Sequence, residues 1–231
     1  MNKRTRIYVG LTIALGIALV VACLASEGST THSGEYLIFC LLACVSSVMK
    51  VRLPGITGTI SANFVVILIA VAMFTFGETV VLACMACVVQ CLWRPKSRPR
   101  IVQLSFNVAV LALSSGASYR IAHLFAGTPA THLGVLMAVA VWFYFTADTL
   151  LISGVLSMIQ SKPLLAVWQQ CYLWSFPYYL AGAGIAGLVL SAKRSAGLAA
   201  SFSVLPLMGL AFVFYRICVE RSQKRSVAAA S

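Results

Sequence analysis

Asp148 is the residue best placed to do chemistry. It sits in Tyr144-Phe-Thr-Ala-Asp148-Thr149, well inside a long apolar run. An ionised Asp at the middle of a membrane helix costs about 2.5–3.5 kcal/mol on insertion scales, so the side chain is expected to face other helices or water. Four amides fall at similar depth in other apolar runs: Asn63, Gln90, Gln103 and Asn107. Gln103 and Asn107 are four residues apart and so share a helix face. Two readings fit these five residues. They form a site for a small molecule or ion, or they are interhelical hydrogen-bond glue worth about 0.6 kcal/mol per contact.

A second polar group gathers where apolar runs end. Arg120 and His123 close one run and His132 opens the next, with His32 in an earlier loop. Such a group could hold an anion or a metal, or respond to pH. It equally marks the headgroup zone of a bilayer, and no HxxxH or HExxH spacing points to metal.

Cys84-Met-Ala-Cys87 has CxxC spacing with Cys91 one turn further on. A zinc or thioredoxin-like site needs more ligands or another context, so these cysteines read as small packing residues. Gly182-Ala-Gly184-Ile-Ala-Gly187 matches GxGxxG, but no strand precedes it as dinucleotide binding requires. It reads as close helix packing by small residues. Ser, His and acid residues form no recognisable triad, and Walker A, GGDEF and HD motifs are missing. The expectation is a protein that is not an enzyme, with no catalytic residue, no metal and no cofactor.

The elements that position these residues follow from composition. Of 231 residues, 61% are hydrophobic and 10% charged, against about 25% charged in a soluble domain. Mean hydropathy is +0.95. Too little polar surface exists to cover a water-soluble globule. The net charge of +12 raises nucleic acid as a partner. That partner is not expected, because the basic residues flank apolar segments as the positive-inside rule places them.

A bilayer core about 30 Å thick takes about 20 helical residues. Eight candidate spans are legible, at 7–25, 36–50, 58–76, 78–93, 101–125, 133–159, 172–192 and 196–216. The expected class is therefore all-α: a polytopic transmembrane helical bundle of six to eight spans. Residues 1–220 would form one membrane domain and 221–231 a short basic tail. With the N-terminus inside, every Lys and Arg except Arg120, Lys193 and Arg194 falls on the cytoplasmic side. That bias supports both ends in the cytoplasm of a bacterial inner membrane. The stretch from Ala62 to Trp93 barely holds two short spans joined at Gly77-Glu78, which are tilted, shielded by neighbours or re-entrant. Pro163 to Trp168 suggests a short interfacial helix, with Trp168 and Trp174 suited to headgroups. The first run resembles a signal peptide ending at Val20-Val21-Ala22-Cys23, although an uncleaved helix is the simpler reading.

Three stretches together carry a resemblance. They are Leu53-Pro-Gly-Ile-Thr-Gly-Thr-Ile-Ser61 with Asn63-Phe64; Gln90-Cys-Leu-Trp-Arg94 through Gln103-Leu-Ser-Phe106-Asn107; and Tyr144-Phe-Thr-Ala-Asp148-Thr149 with Trp168 to Tyr179 and the closing Leu205-Pro206 to Tyr215-Arg216. Over about residues 36–220 the chain resembles the N-terminal integral-membrane sensor modules (MASE-type) of bacterial HD-GYP and GGDEF signalling proteins. In that family a cytoplasmic domain that makes or degrades cyclic di-GMP follows the module. This sequence departs there, so it resembles the sensor without the output. The family pattern has Asn where Asp148 stands. More distantly, the chain looks like S components of energy-coupling-factor transporters.

The resemblance implies a stand-alone sensory or ligand-binding module in the lipid bilayer. It would take a small-molecule ligand and signal to a separate protein partner. A solute-binding S-type transporter component needing an ATPase partner is the alternative, as is a structural subunit of a larger membrane complex.

Overall fold

A computed structural model describes residues 2–26, 33–52, 59–93, 99–126, 129–172 and 175–196, with a few single positions beyond. The fold is all-α apart from one small ribbon. Its helices are α1 (Lys3–Ser26), α2 (Ser33–Ser47), α3 (Asn63–Met73), α4 (Phe76–Leu92), α5 (Ile101–Ala126), α6 (Pro129–Gln160), α7 (Leu164–Cys171) and α8 (Phe176–Ala196). Strands β1 (Lys50–Arg52) and β2 (Thr59–Ser61) pair antiparallel, with Lys50 opposite Ser61. Seven of the eight expected spans correspond to α1–α6 and α8. The eighth, 196–216, lies outside the described residues except at isolated positions, and the 221–231 tail lies outside them altogether.

The span expected over 58–76 is divided. Its first residues form β2, because the backbone of Thr59–Ser61 bonds to β1 and the Ala62 N–H donates to Met49 O at 3.1 Å. The helix proper, α3, has 11 residues, about 16 Å at 1.5 Å per residue. That is too short to cross a 30 Å core alone. All of Asn63–Val71 is buried, so α3 is an inner helix shielded by its neighbours.

The joint to α4 lies earlier than Gly77-Glu78. Phe74 turns extended, and Thr75 and Glu78 form a capping box: each side chain accepts from the other residue's backbone N–H. Glu78 thus satisfies the start of a helix rather than making the turn. The Thr79 hydroxyl, 3.1 Å from Ala70 O, ties α4 back to α3.

The main core runs continuously through α2, α3, α4, α6 and α8 and reaches Ala122 of α5. By contrast, α1 lies at the periphery and joins two satellite clusters, Val9 with Phe106 and Val110, and Cys23 with Val80 and Ala112. Gly16 of α1 packs directly on Ala109 of α5, and Tyr8 donates to Leu151 O of α6 at 3.1 Å. The outward face of α1 leaves Leu11, Leu15, Ile17, Val21 and Leu24 exposed. Such an apolar face is ordinary against lipid and a liability in water.

Among the described residues three helices are long and apolar enough to cross a membrane: Lys3–Ala25, Ile101–Phe125 and Leu133–Gln160. Around them, α2, α3 and α4 are shorter apolar helices. Lys193, one of the three exceptions to the charge bias, forms an ion pair with Glu35 at the start of α2, beside Met73 Sδ at 3.7 Å. The ends of α2, α3 and α8 therefore meet at one side of the bundle. Arg194, the other exception at this end, has a side chain outside the described residues.

Candidate functional site

The five polar residues expected to converge divide into separate groups. Asn63 begins α3 and Gln90 lies near the end of α4, and these two meet. The Ser61 hydroxyl is 2.6 Å from Asn63 Oδ1 and 3.0 Å from Gln90 Oε1, and Asn63 Nδ2 donates to Gln90 Oε1 at 3.2 Å. This triangle uses its own polarity and fastens β2, α3 and α4 together. It is glue. Asn107 donates to Cys91 Sγ at 3.4 Å, a weaker link between α5 and α4. Gln103 joins neither group. It lies in the exposed first turn of α5, beside Ile101 and Val102, so its shared helix face with Asn107 is not shared burial.

Asp148 is different. The side chain is buried on α6, 8% exposed, where α3 and α8 pack against it. Tyr179 of α8 donates to Asp148 Oδ2 at 3.4 Å, the long end of a useful hydrogen bond. Oδ1 is buried and has no hydrogen-bond partner among the described residues. An unsatisfied buried acceptor costs about 1–3 kcal/mol, more when charged. Tyr179 is itself wedged among rings, 4.5 Å from Phe64 and 5.1 Å from Phe145 between centroids. Tyr144, one turn back on α6, faces the Tyr179 ring at 6.2 Å between centroids.

One residue along, Thr149 accepts a hydrogen bond from Trp168 Nε1 at 2.8 Å. The short helix α7 is thereby fastened to α6 immediately beside Asp148. Trp168 is half-buried against Phe145, so it anchors α7 to the protein as well as suiting a headgroup zone; Trp174 lies outside the described residues. Nothing in the sequence pointed to Tyr179 or Ser61. They reach their partners across 31 and 29 residues, and a phenol or hydroxyl in an apolar run carries no local mark of that.

Of the second expected group, Arg120 and His123 lie together near the end of α5. The Arg120 guanidinium stands 4.2 Å above the Phe76 ring centroid. The His123 ring stacks on Tyr119 at 4.1 Å, with Nδ1 3.0 Å from Tyr119 O. His132 lies in the first turns of α6 with its side chain outside the described residues, and His32 is outside them too. Among the described residues no group of three His, Cys, Asp or Glu is placed to hold a metal ion.

The two sequence motifs resolve in simple ways. Cys87 is buried, Cys91 one turn on takes the Asn107 amide at its sulfur, and Cys84 packs against the cluster of Cys23, Val80 and Ala112. In the glycine motif only Gly182 makes a close approach, against Phe64 and Val65; an added Cβ at Gly184 or Gly187 would meet nothing. The small-residue packing of α8 is carried by Gly182 with buried Ala183 and Ala186.

No protein-family model, curated protein or solved structure matches this chain. The class comes from the fold: this is a helical membrane protein.

Proposed function

We propose that this protein is a membrane-embedded sensory module of a bacterial inner membrane that binds a small ligand at Asp148 and signals to a protein partner. One observation carries the reading: a buried carboxylate oxygen with no hydrogen-bond partner among the described residues, on a side chain whose neighbour Tyr179 is packed between Phe64 of α3 and Phe145 of α6. A buried polar atom left in that state is a natural point for a ligand. The ligand donates a hydrogen bond to Oδ1, and the rings offer faces to an apolar or cationic body. The resemblance to MASE-type sensor modules supports the same reading.

The signalling step follows from packing. Ligand entry beside Asp148 moves α8 against α6, and Thr149 passes the shift to α7 through Trp168. A ligand drives such a change only by its different affinity for the two arrangements. The partner would read α7 at the cytoplasmic face.

The test uses the purified full chain in a mild detergent. Small amines and alcohols are screened by thermal melting against wild type and Asp148→Asn. At least one amine or alcohol raises the wild-type melting temperature, and Asp148→Asn abolishes the rise while expression stays normal. Identical responses in both proteins would make Asp148 another piece of glue.

A further inference from the structure

A second feature is independent of Asp148. Between α1, α4 and α5 lies a crevice of about 440 Å³, lined by Leu19, Ala22, Phe76, Leu113, Gly116 and Arg120 among others. Its walls are apolar along α5 from Leu113 to Arg120, about 10 Å at 1.5 Å per residue. Its mouth carries the exposed Arg120. Gly116 keeps the floor open: a Cβ there would lie 3.1 Å from Leu19 Cδ2 and 3.6 Å from the Phe76 ring.

The Arg120 guanidinium carbon lies 4.2 Å from the Phe76 ring centroid. Arg120 is exposed, and a guanidinium is a planar fork of N–H donors that matches phosphate oxygens in a bidentate contact. Among the described residues no carboxylate forms an ion pair with it. A cation at the mouth of an apolar slot, beside the peripheral helix α1 of a membrane protein, complements a molecule with an anionic head and a hydrocarbon tail. We propose that this crevice is a binding site for an anionic phospholipid. One acyl chain lies between α1 and α5, and the phosphodiester rests on Arg120.

The full chain, purified in detergent and delipidated, is titrated with phosphatidylglycerol or phosphatidylcholine. Lipid adducts are counted by native mass spectrometry. Wild type should retain phosphatidylglycerol at least several-fold over phosphatidylcholine. Arg120→Gln should remove that preference and Arg120→Lys restore part of it. Gly116→Leu and, at a second residue of the lining, Ala117→Leu should each lose the bound lipid, and either one that folds, judged by its melting curve, is sufficient. Equal retention of the two lipids by wild type, or a preference unchanged in Arg120→Gln, would overturn the site. So would inorganic phosphate displacing the adduct at millimolar concentration, because the tail would then contribute nothing.

Discussion

At the scale of single residues, two charges were conspicuous in an apolar sequence and met opposite fates. Lys193 broke the charge bias and turns out to be neutralised by Glu35, across 158 positions of chain. Among the described residues Asp148 meets no cation, only the phenol of Tyr179 at 3.4 Å. The Lys193–Glu35 pair is partly shielded at the ends of α8 and α2, so its value lies between an exposed pair and a buried one. Lys193→Met and Glu35→Gln are each expected to cost about 1–2 kcal/mol by analogy with those classes. The double variant should cost clearly less than the sum. A double-mutant cycle on detergent-solubilised protein reads the coupling, and strict additivity would deny the pair any energetic role. The charge pattern made Lys193 conspicuous as an exception. It contained nothing to identify Glu35 as the partner.

At the scale of elements, the length of an apolar run proved a sound guide for α1, α5 and α6 and a poor one around α3. The run from Gly58 to Phe76 has the composition of a span, yet its first part is taken by a strand and its last by a capping box. Local hydrogen bonding, not hydropathy, set both limits. The inner position of α3 depends on the close approach of α8 at Gly182, where the Phe64 ring stands in van der Waals contact with the backbone. That ring is also held by Tyr178 and Tyr179 at 5.2 and 4.5 Å, so it has little room to retreat. Gly182→Ala is therefore expected to destabilise by about 1–3 kcal/mol through overpacking. Gly184→Ala, two positions on, meets nothing and should be neutral or slightly stabilising, as Ala is the better helix former. Thermal melting of the two variants distinguishes them, and equal behaviour would contradict the packing of α8 on α3.

At the scale of the whole molecule, a buried α3 is surrounded by longer helices, with α1 outermost. Threading it with both ends in the cytoplasm puts the 94–100 basic loop inside and the α5–α6 connection outside. A reporter active only beyond the cytoplasm should be active when inserted at residue 127 and silent at residue 97. The reverse pattern would invert the molecule and place the Arg120 crevice in the inner leaflet. Loss of the protein from membranes in a carbonate wash would count against integral insertion altogether.

Composition by itself determined that the chain is a membrane-type helical protein, because backbone groups in a hydrocarbon layer must be satisfied within the segment. That requirement acts locally, so helices α1, α2 and α4–α6, and the short α7, were legible within a few residues. Pairing is not local. Only the tertiary structure decided that Asn63 and Gln90 close on each other, that Gln103 is left exposed, and that one oxygen of Asp148 has no partner among the described residues. Each of these depends on which faces of distant helices are pressed together, and apolar faces of similar composition carry too little pattern to specify that.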